Sequence, residues 1–123
     1  MEEELFMKKS FGARTLIYPA PVWLIGPYGK KGDPDAATVA WAGICGSEPP
    51  AVAISLRKSR YSYENILHRK AFTVNIPCAD QVVIADYCGL VSGRKADKFA
   101  AAKITAVRSE KVDAPYIDEC PMV

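Results

Sequence analysis

AVAISLRKSRYSYENI, residues Ala51–Ile66, is the stretch on which the reading of the fold turns. It opens with a short apolar run, Ala51–Leu56, of strand length. Three cations follow, Arg57, Lys58 and Arg60, interleaved with Ser59, Tyr61 and Ser62. A helix-compatible segment, Tyr63–Arg69, comes next. A strand that ends in cations and hydroxyls just before a helix start is a way to build an anion site. The helix N-terminus offers unpaired N–H groups and a partial positive charge. Arginine adds a planar fork of donors matched to phosphate oxygens. Between Ser55 and Lys70 five Arg/Lys stand against one Glu, a local charge of +4 in a chain whose formal net charge is +2. The stretch reads as a site for a phosphate-bearing ligand; the alternative is a solvated basic loop.

Upstream, Val22–Ile25 follows Pro19 and Pro21 and reads as a buried strand. Gly26–Asp35 is dense in turn formers and reads as a hairpin loop. Its Gly29-Lys-Lys-Gly32 lacks the spacing and the Lys-Ser/Thr pair of a P-loop. Ala37–Ile44 reads as a second strand, Ser47–Pro50 as a turn, and Ala51–Leu56 as a third strand. Downstream, Ala71–Ile76 is a fourth strand whose end is marked by Asn75. Ala79–Tyr87 has helical spacing, Cys88–Arg94 reads as loop, and Lys95–Ala102 as helix. Ile104–Val107 and Val112–Ile117 read as extended segments. Strands in succession, then helices, then more strand predict an α+β, mainly β fold with a largely antiparallel sheet curled into a barrel. Strand–helix alternation and a G-x-G-x-x-G turn are both missing, so a doubly wound fold is not expected.

The chain has 123 residues, half of them hydrophobic and 24% charged, which predicts a folded domain with its own core. No apolar run approaches the roughly 20 residues of a membrane span. The acidic start lacks a secretory signal, so a cytoplasmic location is expected. The small net charge argues against a nucleic-acid partner. Cys45, Cys78, Cys88 and Cys120 form no C-x-x-C pair, and His68 is the sole histidine, so zinc is not expected. The cysteines read as reduced, small buried hydrophobes without close partners. Cys45, in Gly43-Ile-Cys-Gly46, invites a nucleophile reading that nothing else supports.

Several segments together resemble the flavoredoxin branch of the flavin reductase-like family. They are Ser10–Pro19, Pro21-Val22, Thr38–Trp41, Ser47–Pro50, Ile54–Arg57, Arg60–Ser62, Phe72–Asn75, Ser92-Gly93 and Asp97–Phe99. The resemblance runs from about Lys8 to the end of the chain and implies a split β-barrel that binds FMN, as a homodimer with flavin near the interface. It implies a domain over residues 11–123 preceded by an arm over residues 1–10. It also implies that Thr38, Val39, Ala40 and Trp41 lie along the flavin ring, mainly through their backbone. Ser55, Arg57, Arg60, Tyr61 and Ser62 would hold the phosphate, and Lys98 would stand near the cofactor. NAD(P)H or a redox protein would supply electrons.

Two departures stand out. Asp35 falls where relatives often carry Asn and is expected to point into solvent. The sequence stops at Cys120–Val123 where relatives continue through further strands, so either a truncated domain or a short variant of the barrel is expected. No acid–base pair, triad or metal cluster is visible, and a flavin enzyme needs none. Three functions follow: an FMN-dependent oxidoreductase or electron carrier, a flavin- or phosphate-binding module without turnover, and, disfavoured by the net charge, an RNA-binding protein.

Overall fold

A computed structural model describes residues 7–123. The first six positions of the expected N-terminal arm lie outside the described residues. Strand β1 (Trp23–Gly26) is central in a three-stranded antiparallel sheet of order β2-β1-β5, with β2 at Ala37–Val39 and β5 at Thr73–Asn75. Leu24 and Ile25 are both fully buried, so β1 is covered on two faces. That is why it reads as a continuous apolar run rather than an alternation.

The expected strand over residues 37–44 is in fact two strands. Trp23 pairs with Val39 at one end of the β1–β2 ladder. Before Trp23 the chain carries Pro21, which has no N–H to extend a ladder. Beyond Val39 the chain has no partner on β1, turns at Ala40-Trp41 and starts β3 (Ala42–Ser47). Strand β3 pairs with β4 (Pro50–Ile54) across Glu48-Pro49 in a hairpin whose register shifts between Ile44 and Gly46, leaving Cys45 as the bulged residue.

Helix α1 runs Tyr61–Arg69, two residues longer at its start than expected. Lys70 ends it in the left-handed region, and its N–H bonds Ile66 O. A 3₁₀ turn at Ala79–Gln81 leads into α2 (Val82–Leu90), which continues through Cys88-Gly89-Leu90, a stretch expected as loop. Helix α3 (Lys98–Ala102) starts later than expected because the Asp97 carboxylate accepts the Ala100 N–H and caps it. Strands β6 (Ala106–Arg108) and β7 (Pro115–Ile117) form a separate pair. Leu24, Ala36, Ala85, Cys88, Phe99, Ile104 and Ile117 form the core under α2 and α3. Among the described residues the three sheets do not join into a closed ring.

Buried Asn75 ties these parts together. Its Nδ2 donates to Leu24 O at 3.0 Å and its Oδ1 accepts from Ile117 N at 2.8 Å, so one side chain links β1, β5 and β7.

Candidate functional site

The break between β2 and β3 creates a groove. Trp41 O accepts the Ser55 N–H at 2.9 Å, which draws the end of β4 alongside the break. From there the chain passes through Arg57 and Arg60 into α1. The result is a cavity of about 430 Å³ lined by Thr38, Val39, Ala40, Trp41, Ser55, Leu56, Arg57, Ser59 and Arg60. Seven of the ten expected site residues thus meet in one place: Thr38, Val39, Ala40, Trp41, Ser55, Arg57 and Arg60. Leu56 and Ser59 were not singled out; as sequence neighbours on the same connection they follow once the groove is recognised.

The groove's cationic end is open to a ligand. Arg57 is exposed and takes part in no salt bridge among the described residues, where the ion pairs are Arg69–Asp113, Arg94–Glu64 and Arg108–Asp113. Arg60 is the N-cap residue of α1, and no side chain caps that helix. Its Nη2 donates to Gly89 O at 3.1 Å, which fixes the guanidinium between the groove and α2. A helix start without a side-chain cap, flanked by two arginines and by Ser55 and Ser59, is suited to an anion.

The other three expected residues, Tyr61, Ser62 and Lys98, line a smaller cavity of about 80 Å³ on the far side of Arg60. Ser62 sits within the first turn of α1 and is 2% exposed. Its hydroxyl donates to Asp35 Oδ2 at 2.5 Å, and Asn65 Nδ2 donates to the same oxygen at 3.3 Å. Tyr61 Oη donates to Asp33 Oδ2 at 2.8 Å. Burial first, then the Asp33 hydrogen bond and charge, push the Tyr61 phenol above its usual pKa.

Lys98 Nζ donates to Ala36 O at 2.6 Å and Cys88 O at 2.9 Å, joining the approach to β2 with α2. Burial lowers its pKa, and the Asp35 charge pulls the other way.

Asp35 is a correction to the sequence reading. The residue is 2% exposed, not in solvent, and its Oδ1 has no hydrogen-bond partner. Gly93 makes that burial possible: a Cβ there would lie 2.8 Å from Asp35 Oδ1 and 2.6 Å from Tyr61 Cδ2. The signal that could have revealed the cluster is the pair Ser62 and Asn65. Three residues apart, they share one helix face and both are buried.

A second, apolar groove of about 570 Å³ runs between β2 and α2, lined by Val22, Thr38, Ala40, Pro77, Val82, Ala85 and Leu90 among others. Thr38 Oγ1 donates to Ala85 O at 2.5 Å across its floor. Thr38 therefore turns its side chain to α2, consistent with backbone presentation of the strand to the first groove.

Comparison with known proteins places this geometry in a family. Residues 14–123 match the flavin reductase like domain. The fold matches the flavoredoxin of Desulfovibrio vulgaris (Miyazaki F) with a TM-score of 0.90 at 52% identity, over 92% of this chain and 62% of that one. A flavoredoxin from Methanosarcina acetivorans matches with a TM-score of 0.84 at 35% identity, over 93% of this chain and 60% of that one. An uncharacterized Escherichia coli protein, YddH, is 32% identical over 87% of this chain and 57% of its own length. The chain therefore spans about three-fifths of the length of these relatives. The architecture, with short helices and sheets left unclosed, is that of the split-barrel proteins of this group, and the chain belongs to the flavin reductase like domain family.

Proposed function

We propose that this domain binds FMN in the groove between the end of β2 and the start of α1, and that it serves as an oxidoreductase or electron carrier of flavoredoxin type. The observation that carries the reading is the convergence of an edge-strand backbone, Val39–Trp41, with Arg57, Arg60 and the uncapped start of α1 in one cavity. Its volume of about 430 Å³ lies within the range of roughly 300–1,000 Å³ typical of small-molecule sites. The likeness to flavoredoxins supports the choice of ligand.

In this reading Arg57 and the first turn of α1 hold the phosphate, with Ser55 and Ser59 as hydroxyl partners. Arg60 commits one donor to Gly89 O and keeps others for the ligand. The backbone of Val39, Ala40 and Trp41 lies along the ring. Bound FMN supplies the hydride and electron chemistry. The chain's own work is to bind, orient and shield. Lys98 acts one layer behind the groove, fixing Ala36 ahead of β2 and Cys88 within α2. Among the described residues the groove is lined by backbone, hydroxyls and two arginines, which suit binding and orientation. Electrons would come from NAD(P)H or a redox protein at the groove's open side. A homodimer would cover the apolar groove beside α2.

Equilibrium dialysis against FMN tests the binding half of the proposal. NAD(P)H oxidation by the FMN-loaded protein tests the catalytic half. Binding without oxidation by any donor would leave the non-catalytic module as the correct reading.

A further inference from the structure

The four cysteines are free; Cys45 and Cys78 are exposed, not buried as the sequence suggests, and Cys78 and Cys120, 42 positions apart in sequence, flank one contact between segments. Ile76 and Met122 form an antiparallel bridge, with Ile76 N donating to Met122 O at 2.8 Å. Cys78 and Cys120 each lie two residues from that bridge, on the segments that leave it. The segments are also held together at that level. The Gln81 side chain accepts the Cys78 N–H at 2.9 Å and donates to Glu119 O at 2.7 Å, so one amide group spans the gap. The bridge is a single one and Cys120 lies in the turn after β7, so it is the Gln81 amide that holds the two cysteine segments close. Disulfides accept Cα separations of about 4.4–6.8 Å.

We propose that Cys78 and Cys120 form a reversible redox pair, closed by exchange with a small-molecule disulfide. Cys78 is exposed and is the residue that reacts first. Its thiolate attacks one sulfur of the disulfide, breaking that S–S bond and expelling one thiolate. Cys120 then attacks Cys78 Sγ, forming the protein Sγ–Sγ bond and expelling the second thiolate. The two protein thiols lose two electrons and two protons, and the small disulfide is reduced to two thiols. Cys120 is left the second step by its burial. It is half-buried, and burial, then the charges of Glu119 and Cys78, push its thiol up to about 11, so its attack is the slower of the two steps and quickens with rising pH. Cys88 is fully buried, which shuts it off from a small disulfide in solution, and Cys45 sits apart at the bulge of the β3–β4 hairpin. Cys78 also lines the apolar groove against α2. Closing the pair would fix the segment around Cys120 to the entry of α2 and set the shape of that groove. None of this depends on flavin.

The test treats the reduced full chain with hydroxyethyl disulfide, alkylates the remaining thiols under denaturing conditions, and maps the peptides by mass. The expected result is a linked peptide pair joining Cys78 to Cys120, reversed by dithiothreitol. Cys120→Ser is expected to trap a hydroxyethylthio adduct on Cys78. Should that variant fail to fold, the wild-type map decides alone. A wild-type map with Cys78 and Cys120 both alkylated, a lasting adduct on Cys78, or a link from Cys78 to any other cysteine would overturn the proposal.

Discussion

Arg57 is the side chain on which recognition of the phosphate rests. It is exposed, unpaired among the described residues, and set at the mouth of the groove. A charge-assisted hydrogen bond contributes roughly 1.5–3 kcal/mol, which is about 10- to 150-fold in affinity. Arg57→Ala is therefore expected to weaken FMN binding by that factor while leaving riboflavin binding nearly unchanged. Equal losses for the two ligands, measured by fluorescence titration, would remove Arg57 from the phosphate site. Lys98 carries a different expectation. Burial lowers its pKa in the native chain, whereas the unfolded chain keeps the proton up to about 10.4. Between those two values the unfolded state binds more protons, so Lys98 makes stability rise with pH across that window. Lys98→Met should abolish this rise in urea unfolding midpoints measured from neutral pH to about 10. Parallel profiles for the two proteins would mean that the buried ammonium titrates as an ordinary lysine.

At the level of elements, some features were legible in the sequence and others were not, for physical reasons. β1, β4, α1 and β5 were visible because a short apolar run or a helical spacing marks each of them. The helix after Arg60 was visible because cations and hydroxyls precede it. The break at Ala40-Trp41 was not, because it is imposed from outside: Pro21 ends the partner strand, and nothing within residues 37–44 announces a stop. The extension of α2 through Leu90 was hidden by Gly89, a residue that usually punctuates a helix. Asp35 was misplaced because its burial depends on Ser62, Asn65 and Gly93, which are distant in sequence. Asn75 marks the end of its strand in the sequence and closes β5 in the structure, where it has a further role. Its Oδ1 takes the Ile117 N–H, which points away from β6, and its Nδ2 adds a side-chain donor to Leu24 O. Asn75→Ala orphans the buried Ile117 N–H, so a loss of about 1–3 kcal/mol is expected. A change below about 1 kcal/mol in chemical denaturation would show that water or a backbone shift replaces the amide.

For the whole molecule, α2 sets the problem. Val82, Val83 and Leu90 are 66%, 80% and 75% exposed on a helix whose other side, Ala85 and Cys88, is core. A helix apolar all round belongs in an interior. Strand β2, at the edge of its sheet, lies beside it across the apolar groove, and edge strands in soluble proteins are normally covered or paired. Two copies related by a two-fold axis would cover both. The account predicts a homodimer burying more than roughly 2,000 Å² in total, with a midpoint of unfolding that rises with protein concentration. Sedimentation equilibrium at micromolar concentration checks it, and a stable monomer that stays soluble would mean that the face is tolerated in water.

The central claim is that the groove at the end of β2 holds one FMN through the start of α1. Equilibrium dialysis of the purified protein against FMN, read by flavin absorbance, tests it most directly. Saturation at one FMN per chain is expected, with inorganic phosphate competing at high concentration. No saturable binding, or binding indifferent to phosphate, would contradict it.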